Sequence, residues 1–533
     1  MKKASIWLLL IVALITLAAC NDTKTDSDQP IMDKEAIDNL TDTQFPVVKD
    51  PITVSMFSAS NPNQGDWNDI FIWNEYEEMT NIKVEWEQVP SSTLEEKRNL
   101  TLASKDLPDA FYASGINTLD LFKYGKQGTF IPLNDLIEDY APNLQKVFEQ
   151  YPEVRKAITF PDGNIYALPT IQDPKFLSLL VGARPWFNQE WLDELGMDIP
   201  ETTEEYYDYL TAVKENNPGG DAIEEIPYGG RYITELIRWL RGSFGLSEQG
   251  HTYIDLDPEN GDLRFNPISE DYKAMLEYIN KLYEEKLINQ NIFTIENDQF
   301  LANGANGMYG STVFYSPDDT FGTEAGVFVG GLPLKGPKSY QSFSKSNSVG
   351  RMDGLVITKD AQNPGALVKW QDYFYTEEGS RFQYMGVEGE TYVETEDGYE
   401  YVEEITNSPN GLTLDEELRK RLAWVGLWPP GIMRQDYFMG SETSQSSLDA
   451  TEKLKPYLSE ESWPRFTYTE DENRVLSSVG SDIEKYVEEM RDKFIVGDVP
   501  FSQWDDYVNE IESMGLDEYM DVQQNAYNRY TDH

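Results

Sequence analysis

Apolar positions fall into three kinds of run along this chain. The first is continuous: behind Lys2 and Lys3, residues 4–17 are apolar except for Ser5 and Thr16. Two lysines before an apolar core of that length form an export signal, too short to cross a bilayer comfortably. The second kind alternates. Ile82, Val84 and Trp86, with Lys83 and Glu85 between them, predict a half-buried strand, and the run ITVSMF at 52–57 predicts a buried one. The third recurs at helical spacing: Ile70, Trp73, Tyr76 and Met79 predict a helix, with Asp66 as N-cap and Asp69 beside the positive end of its dipole. Ser92 with Glu95 predicts a capping box opening a helix to about residue 104, and 110–113 predicts a third strand. Strand, helix, strand, helix, strand with connections this short imply a parallel sheet with crossover helices. Binding sites lie at the C-terminal strand ends of such sheets, here the loops 58–69 and 113–117.

The alternation continues. Asp162-Gly163 marks a turn, the apolar run 177–181 a strand, and a helix starts at Asn188 and stops at Gly196. Thr202 or Thr203 caps the next helix. Others are expected at 233–240, 271–286 and 365–376, with strands at 308–310, 326–331 and 355–358. Three helices close the chain at 482–495, 502–514 (capped by Ser502) and about 516–530. Residues 21–48 are polar, charged and poor in aromatics, which predicts a flexible tether. No internal repeat and no second long apolar run is found, so everything beyond the signal is expected to be soluble and outside.

Charge narrows the function. Among 533 residues, 94 Asp and Glu face 43 Lys and Arg, a net charge of −51. Such a surface repels phosphate backbones and anionic bilayers, so no nucleic-acid partner is expected. It also favours an uncharged or cationic ligand, unless a local arginine cluster reverses the field. One Cys and two His exclude an internal disulfide, a cysteine zinc cluster and an HExxH helix, and a Ser-His-Asp triad would have to use His251. The stretch GLPLKGPKS at 331–339 nearly spells a P-loop, but Pro337 separates glycine from lysine and deletes an N–H. The single Cys closes the apolar run as Leu17-Ala18-Ala19-Cys20, which resembles the bacterial lipobox. Cys20 is therefore the expected lipidation site, holding the chain at the outer face of the cell membrane by lipid alone.

Six segments, in order, carry a family resemblance: LASKDLPD at 102–109, IPLNDLI at 131–137, DGNIYALP at 162–169, NQEWLDELG at 188–196, YTEEG at 375–379 and QNAYNRY at 524–530. Together, behind a lipobox, they resemble extracellular solute-binding protein family 1, the large lipoprotein branch of carbohydrate ABC importers. The resemblance implies an α/β fold of two lobes, periplasmic-binding-protein-like (type II, maltose-binding-type), with hinge crossings near 166–181 and 332–357. It implies capture of an oligosaccharide by a monomer, delivery to ABC permease subunits, no catalysis and no cofactor. The expected division is a signal peptide at 1–19, lipidated Cys20 and tether to 48, one lobe from 49–170 with about 333–430, and the other from 171–332 with about 431–533.

Sugars offer apolar C–H faces and hydroxyl edges, so a cleft needs aromatic plates and polar side chains. With 12 Trp, 32 Tyr and 24 Phe the chain has plates to spare. Trp73, Trp191, Trp370 and Trp504 lie on apolar helix faces and belong to the core. Trp67, Trp239, Trp424 and Trp428 lie near loops and are the candidate plates; Asp66, Asp69, Asn117, Arg184 and Tyr309 are the candidate polar partners. Some family members carry a calcium loop; the matching stretch here, NNPGGDAIEEIP at 216–227, keeps Asn216, Glu224 and Glu225 but has lost most early oxygen ligands, so no metal is expected. A surface glycoside hydrolase or polysaccharide lyase is the alternative, although carboxylate pairs among 94 acids carry no information.

Overall fold

The computed structural model describes residues 32–532 other than 61–63, 105, 248, 325, 397 and 425–428. The expected export signal, Cys20 and Trp428 lie outside the described residues.

The strands in chain order are β1 (Ile52–Ser60), β2 (Ile82–Pro90), β3 (Ala110–Tyr112), β4 (Leu168–Gln172), β5 (Arg184–Asn188), β6 (Ile226–Tyr228) and β7 (Ile254–Leu256). They continue with β8 (Leu263–Phe265), β9 (Tyr309–Phe314), β10 (Phe328–Gly330), β11 (Val349–Ile357), β12 (Tyr392–Thr395), β13 (Gly398–Tyr401) and β14 (Gly431–Met433). Six form one sheet, β14-β4-β11-β3-β1-β2; four form another, β10-β5-β9-β6; β7 with β8 and β12 with β13 make small ribbons. β1 runs parallel to β2 and β3, as crossover helices require, while β11 is antiparallel between β3 and β4.

Each sheet has its own core, because each is apolar on the faces its helices cover. The first gathers Val54, Met56 and Trp86 from the strands with Ile72, Trp73 and Tyr76 from the helix Phe71–Thr80. The second gathers Phe187, Tyr206, Leu210 and Leu276, and the C-terminal helices Ser481–Val496, Trp504–Ser513 and Leu516–Asp532 join it through Phe494, Trp504 and Tyr519. The two-lobe α/β architecture implied by the resemblance is the one observed. The expected division also places a crossing near 430, and in the structure the chain leaves the first sheet just after β14. Gly431–Met433, assigned from sequence to the second lobe, pairs in parallel with β4 in the first sheet. The helix Gln445–Leu454 beyond it packs on β10 so closely that a Cβ at Gly330 would fall 2.3 Å from that of Ala450. A three-residue strand is too short to announce itself by period.

Other differences have local causes. Residues 177–181, expected as a strand, form a helical turn, Leu177–Val181, because a short apolar run buried all round has no period to separate the two. The helix Phe71–Thr80 begins after Ile70 without a side-chain cap, and Asp66 instead accepts from Asn68 N at 3.0 Å within its own loop. The helix Leu94–Ala103 is also uncapped: Thr93 precedes it and donates its hydroxyl to Pro90 O, whereas Thr202 forms a full capping box with Glu205. Ser502 lies in a 3-10 turn ahead of Trp504–Ser513 and caps nothing. Residues 32–48, expected as tether, are packed: Met32, Ala36, Leu40, Val47 and Val48 are buried in the first core, around the helix Lys34–Asn39 capped by Asp33. No helix among the described residues is long and apolar enough to cross a membrane.

Candidate functional site

The C-terminal ends of β1 and β3 open into a cavity of about 560 Å³, where parallel sheets carry their ligands. Its floor is a tight turn. Ala113, just after β3, holds φ at +47°, a left-handed backbone that costs a non-glycine residue free energy. Its N–H donates to Gly354 O at 2.8 Å, which helps to hold it there. Gly115 (φ +78°) completes the reversal, and Asn117 caps the helix Thr118–Lys126 by accepting from Asp120 N at 2.8 Å. From β11 the Asp353 carboxylate accepts from Gly115 N at 2.6 Å and Ile116 N at 2.9 Å, and Arg351 Nε donates to it at 3.0 Å. Arg351 and Asp353 share a face of β11 because they are two residues apart on a strand, in the stretch where its register against β4 slips twice between Val349 and Leu355. Arg98, 5% exposed, donates Nη1 to Ser114 O at 3.1 Å and to Gly115 O at 2.6 Å.

Trp424 lines the cavity with an edge left 5% exposed by the first core, its ring 5.3 Å from that of Trp67 and 6.1 Å from that of Tyr112. Trp67 in turn meets Trp73 and Trp86 edge to face. Pro464 and Arg465 also line the cavity, carried by a segment whose Trp463 and Phe466 are rooted in the second core. Both lobes therefore contribute to one cavity, lined by an aromatic side chain, N–H and guanidinium donors and a buried carboxylate.

A family model described as a bacterial extracellular solute-binding protein matches residues 61–381. This chain belongs to the bacterial extracellular solute-binding proteins. The fructooligosaccharide ABC transporter substrate-binding protein FusA of Streptococcus pneumoniae is 29% identical, over 98% of this chain and 97% of its own length. The lipoprotein LipO of Bacillus subtilis is 22% identical, over 82% of this chain and 84% of its own. The solved structure of FusA in complex with kestose matches with a TM-score of 0.72 at 25% identity, covering 90% of this chain and 99% of that one. A solved HMO-binding, ABC-transporter-associated solute-binding protein from Bifidobacterium longum infantis shares the fold, with a TM-score of 0.75 at 21% identity over 91% of this chain and 99% of its own. FusA and the Bifidobacterium protein are named as substrate- or solute-binding proteins.

In this solute-binding protein the structure brings two of the sequence candidates, Asn117 and Trp424, to the cavity. Trp67 is 1% exposed and backs Trp424 instead of facing the opening. Asp66 and Asp69 sit exposed on their loop and do not line the cavity. Three candidates are corrected. Arg184 is fully buried and spends its donors on Gly182 O, Ser178 O and Oγ, Ser447 O and Thr451 Oγ1, at 2.7–3.0 Å. Burial pushes its pKa down to about 10, and its work is to clasp Leu177–Val181 to Gln445–Leu454. Trp239 is buried in the second core with Nε1 donating to Leu332 O at 3.0 Å, and Tyr309 is buried with its hydroxyl donating to Phe300 O at 3.0 Å. An aromatic near glycines and loops in sequence can still be roofed by distant elements. The reading of the sequence missed Arg351, Asp353 and Arg465; the one available signal was a charged pair interrupting the apolar approach to 355–358.

At the calcium-like loop Asn216 ends the helix Thr203–Asn216 and donates Nδ2 to Ala212 O. Glu224 is exposed, while Glu225 turns back to accept from Gly219 N, with its pKa raised by burial. Asn216 and Glu225 thus serve separate local contacts. Among the described residues no group of three His, Cys, Asp or Glu is arranged to hold a metal ion. His251 stacks on Phe466 with ring centroids 6.3 Å apart, and its Nδ1 faces the N–H groups of Tyr253 and Ile254 at 3.4 Å.

Proposed function

We propose that this chain captures an oligosaccharide between its lobes and delivers it to the permease subunits of an ABC transporter, held at the outer face of the membrane by lipid on Cys20. The observation that carries the reading is a cavity shared by both lobes. Trp424 offers a plate for C–H faces, and the Arg351–Asp353 pair and the turn at Asn117 offer hydrogen-bonding partners for hydroxyls. The FusA and LipO names support carbohydrate capture and lipid anchoring respectively. Ligand bridging the lobes favours the closed state, and the permease reads that state. Binding without turnover fits the lining. Asp353 is its one carboxylate among the described residues, and three donors already hold it, whereas glycoside hydrolysis uses two carboxylates.

The test is a thermal-shift panel of fructo-, xylo- and uronate oligosaccharides on the detergent-solubilised mature chain, with product analysis alongside. At least one oligosaccharide should raise Tm, since a ligand that binds only the folded state stabilises it. No new reducing ends should form. A panel with no stabilising saccharide would overturn capture, and turnover would overturn the binding role. Cys20→Ala should lose membrane retention; a variant that stays membrane-bound with normal processing would sink the anchor.

A further inference from the structure

Resting on the reading of this cavity as an oligosaccharide site, we infer that its ligand carries an anionic group, received by Arg351 and Arg465. In a chain with 94 acidic and 43 basic residues, an average patch of surface holds more carboxylates than cations. The cavity inverts that ratio: its ionisable lining is Arg351, Arg465 and Asp353. The one negative charge is already spent, since Asp353 accepts from Gly115 N, Ile116 N and Arg351 Nε. Arg351 turns Nε and Nη2 to Asp353, which leaves Nη1 without a hydrogen bond among the described residues. Arg465 is exposed and makes no hydrogen bond or ion pair among the described residues. Arg98, 5% exposed at the floor turn, donates only to the carbonyls of Ser114 and Gly115, and its buried Nε has no partner. The nine-residue helix Thr118–Lys126 adds the positive end of its dipole, with Asn117 and Thr118 in the lining.

Closure decides what this surplus costs. Open, the guanidiniums of Arg351 and Arg465 are hydrated. When the lobes close over a neutral sugar both lose water; Arg351 keeps Asp353 as its counter-charge, but Arg465 gains none, and an uncompensated charge in a dry site is expensive. A carboxylate or sulfate on the sugar supplies that counter-charge through charge-assisted, bidentate hydrogen bonds. Neutral ligands are thereby rejected by the closed state rather than by shape, even though the overall charge of the molecule repels anions at a distance.

The test is calorimetric titration of the detergent-solubilised mature chain with galacturonate, mannuronate and glucuronate oligosaccharides and the methyl ester of each. Sulfated galactan and neutral fructo- and xylo-oligosaccharides complete the set. We expect an acidic saccharide to bind at least about tenfold more tightly than its uncharged counterpart, the difference one charge-assisted hydrogen bond makes. The carboxylate and sulfate arms identify which anion is taken. Arg465→Gln, at an exposed position, should erase that preference without moving Tm in the absence of ligand, and Arg465→Lys should restore part of it. Binding of neutral oligosaccharides or methyl esters as tight as that of the acids would overturn the inference while leaving capture standing. Preference for the acid unchanged in Arg465→Gln would overturn the assignment to Arg465, and no binding by any saccharide would overturn the capture reading itself.

Discussion

Asp353 is the residue on which the cavity floor depends. Its carboxylate ties the Gly115 and Ile116 amides and orients Arg351. Replacing it by alanine leaves two amides and a guanidinium unpaired, at about 1–3 kcal/mol for each group that water cannot reach. We expect Asp353→Ala to lower Tm by several degrees and ligand affinity at least about tenfold, read by thermal unfolding and calorimetry; full affinity in the variant would show that the floor turn is irrelevant to binding. His251 and Asp372 set opposite responses to acid. Burial, helped by Arg241 and Arg465, pushes His251 down from 6.5 to about 4. Between those values the folded chain binds fewer protons than the unfolded one, so stability falls as pH drops through that window. The loss is about 2 kcal/mol, less than the full shift because the ring keeps some contact with water. Burial raises Asp372 from 3.8 to about 6 against its bonds from Leu144 N and Asn143, so there the folded chain binds the extra proton and gains stability on acidification. His251→Gln should lose less Tm than the parent between about pH 7 and about pH 5, and Asp372→Asn should lose more. Equal slopes in all three chains would refute both assignments.

At the scale of elements, helix ends separate signatures that form from those that do not. Thr202 and Glu205 close a complete capping box at the start of Thr203–Asn216, and Asn188 and Gly196 bracket Gln189–Leu195 as read from sequence. The same pattern at Ser92 and Glu95 stays unformed, since Thr93, not Ser92, precedes the helix. We expect Thr202→Ala to cost about 1 kcal/mol and Ser92→Ala under about 0.5 kcal/mol, measured as denaturant midpoints at constant m-value. Similar costs at both sites would mean that the box at Ser92 forms in solution. The turn Leu177–Val181 shows the opposite situation. Its carbonyls from Ser178 to Gly182 accept from Arg184, Ser346 and Arg238; the last two are distant in sequence and reach it only through the tertiary fold.

For the whole molecule the dominant quantity is the net charge of −51. Like charges crowded on a compact body repel, and salt shortens their reach from about 30 Å at 0.01 M to about 3 Å at 1 M. Tm should therefore rise with NaCl through the first few hundred millimolar. A flat profile would show that the carboxylates are dispersed widely enough to cost nothing. On the proposed closure each crossing between the sheets must bend, and solution scattering should then show a smaller radius of gyration at saturating ligand.

Local physics made much of this legible before any coordinates. Period two and period 3.6 marked β1, β2 and the helix Phe71–Thr80, and the C-terminal helices showed the same signal near the right residues. The lipobox and six short segments pointed to the family. What stayed hidden has one physical reason: it depends on what covers a residue, and the cover comes from far along the chain. Arg184 and Trp424 both neighbour loops, yet helix Gln445–Leu454 roofs the first while the second stays at the cavity. Met32 and Val48 sit in a polar stretch and still enter a core, because the first lobe supplies the rest of it. Arg351, Asp353 and Arg465 become one site only when a slipped strand from one lobe and a segment rooted in the other meet above the ends of β1 and β3.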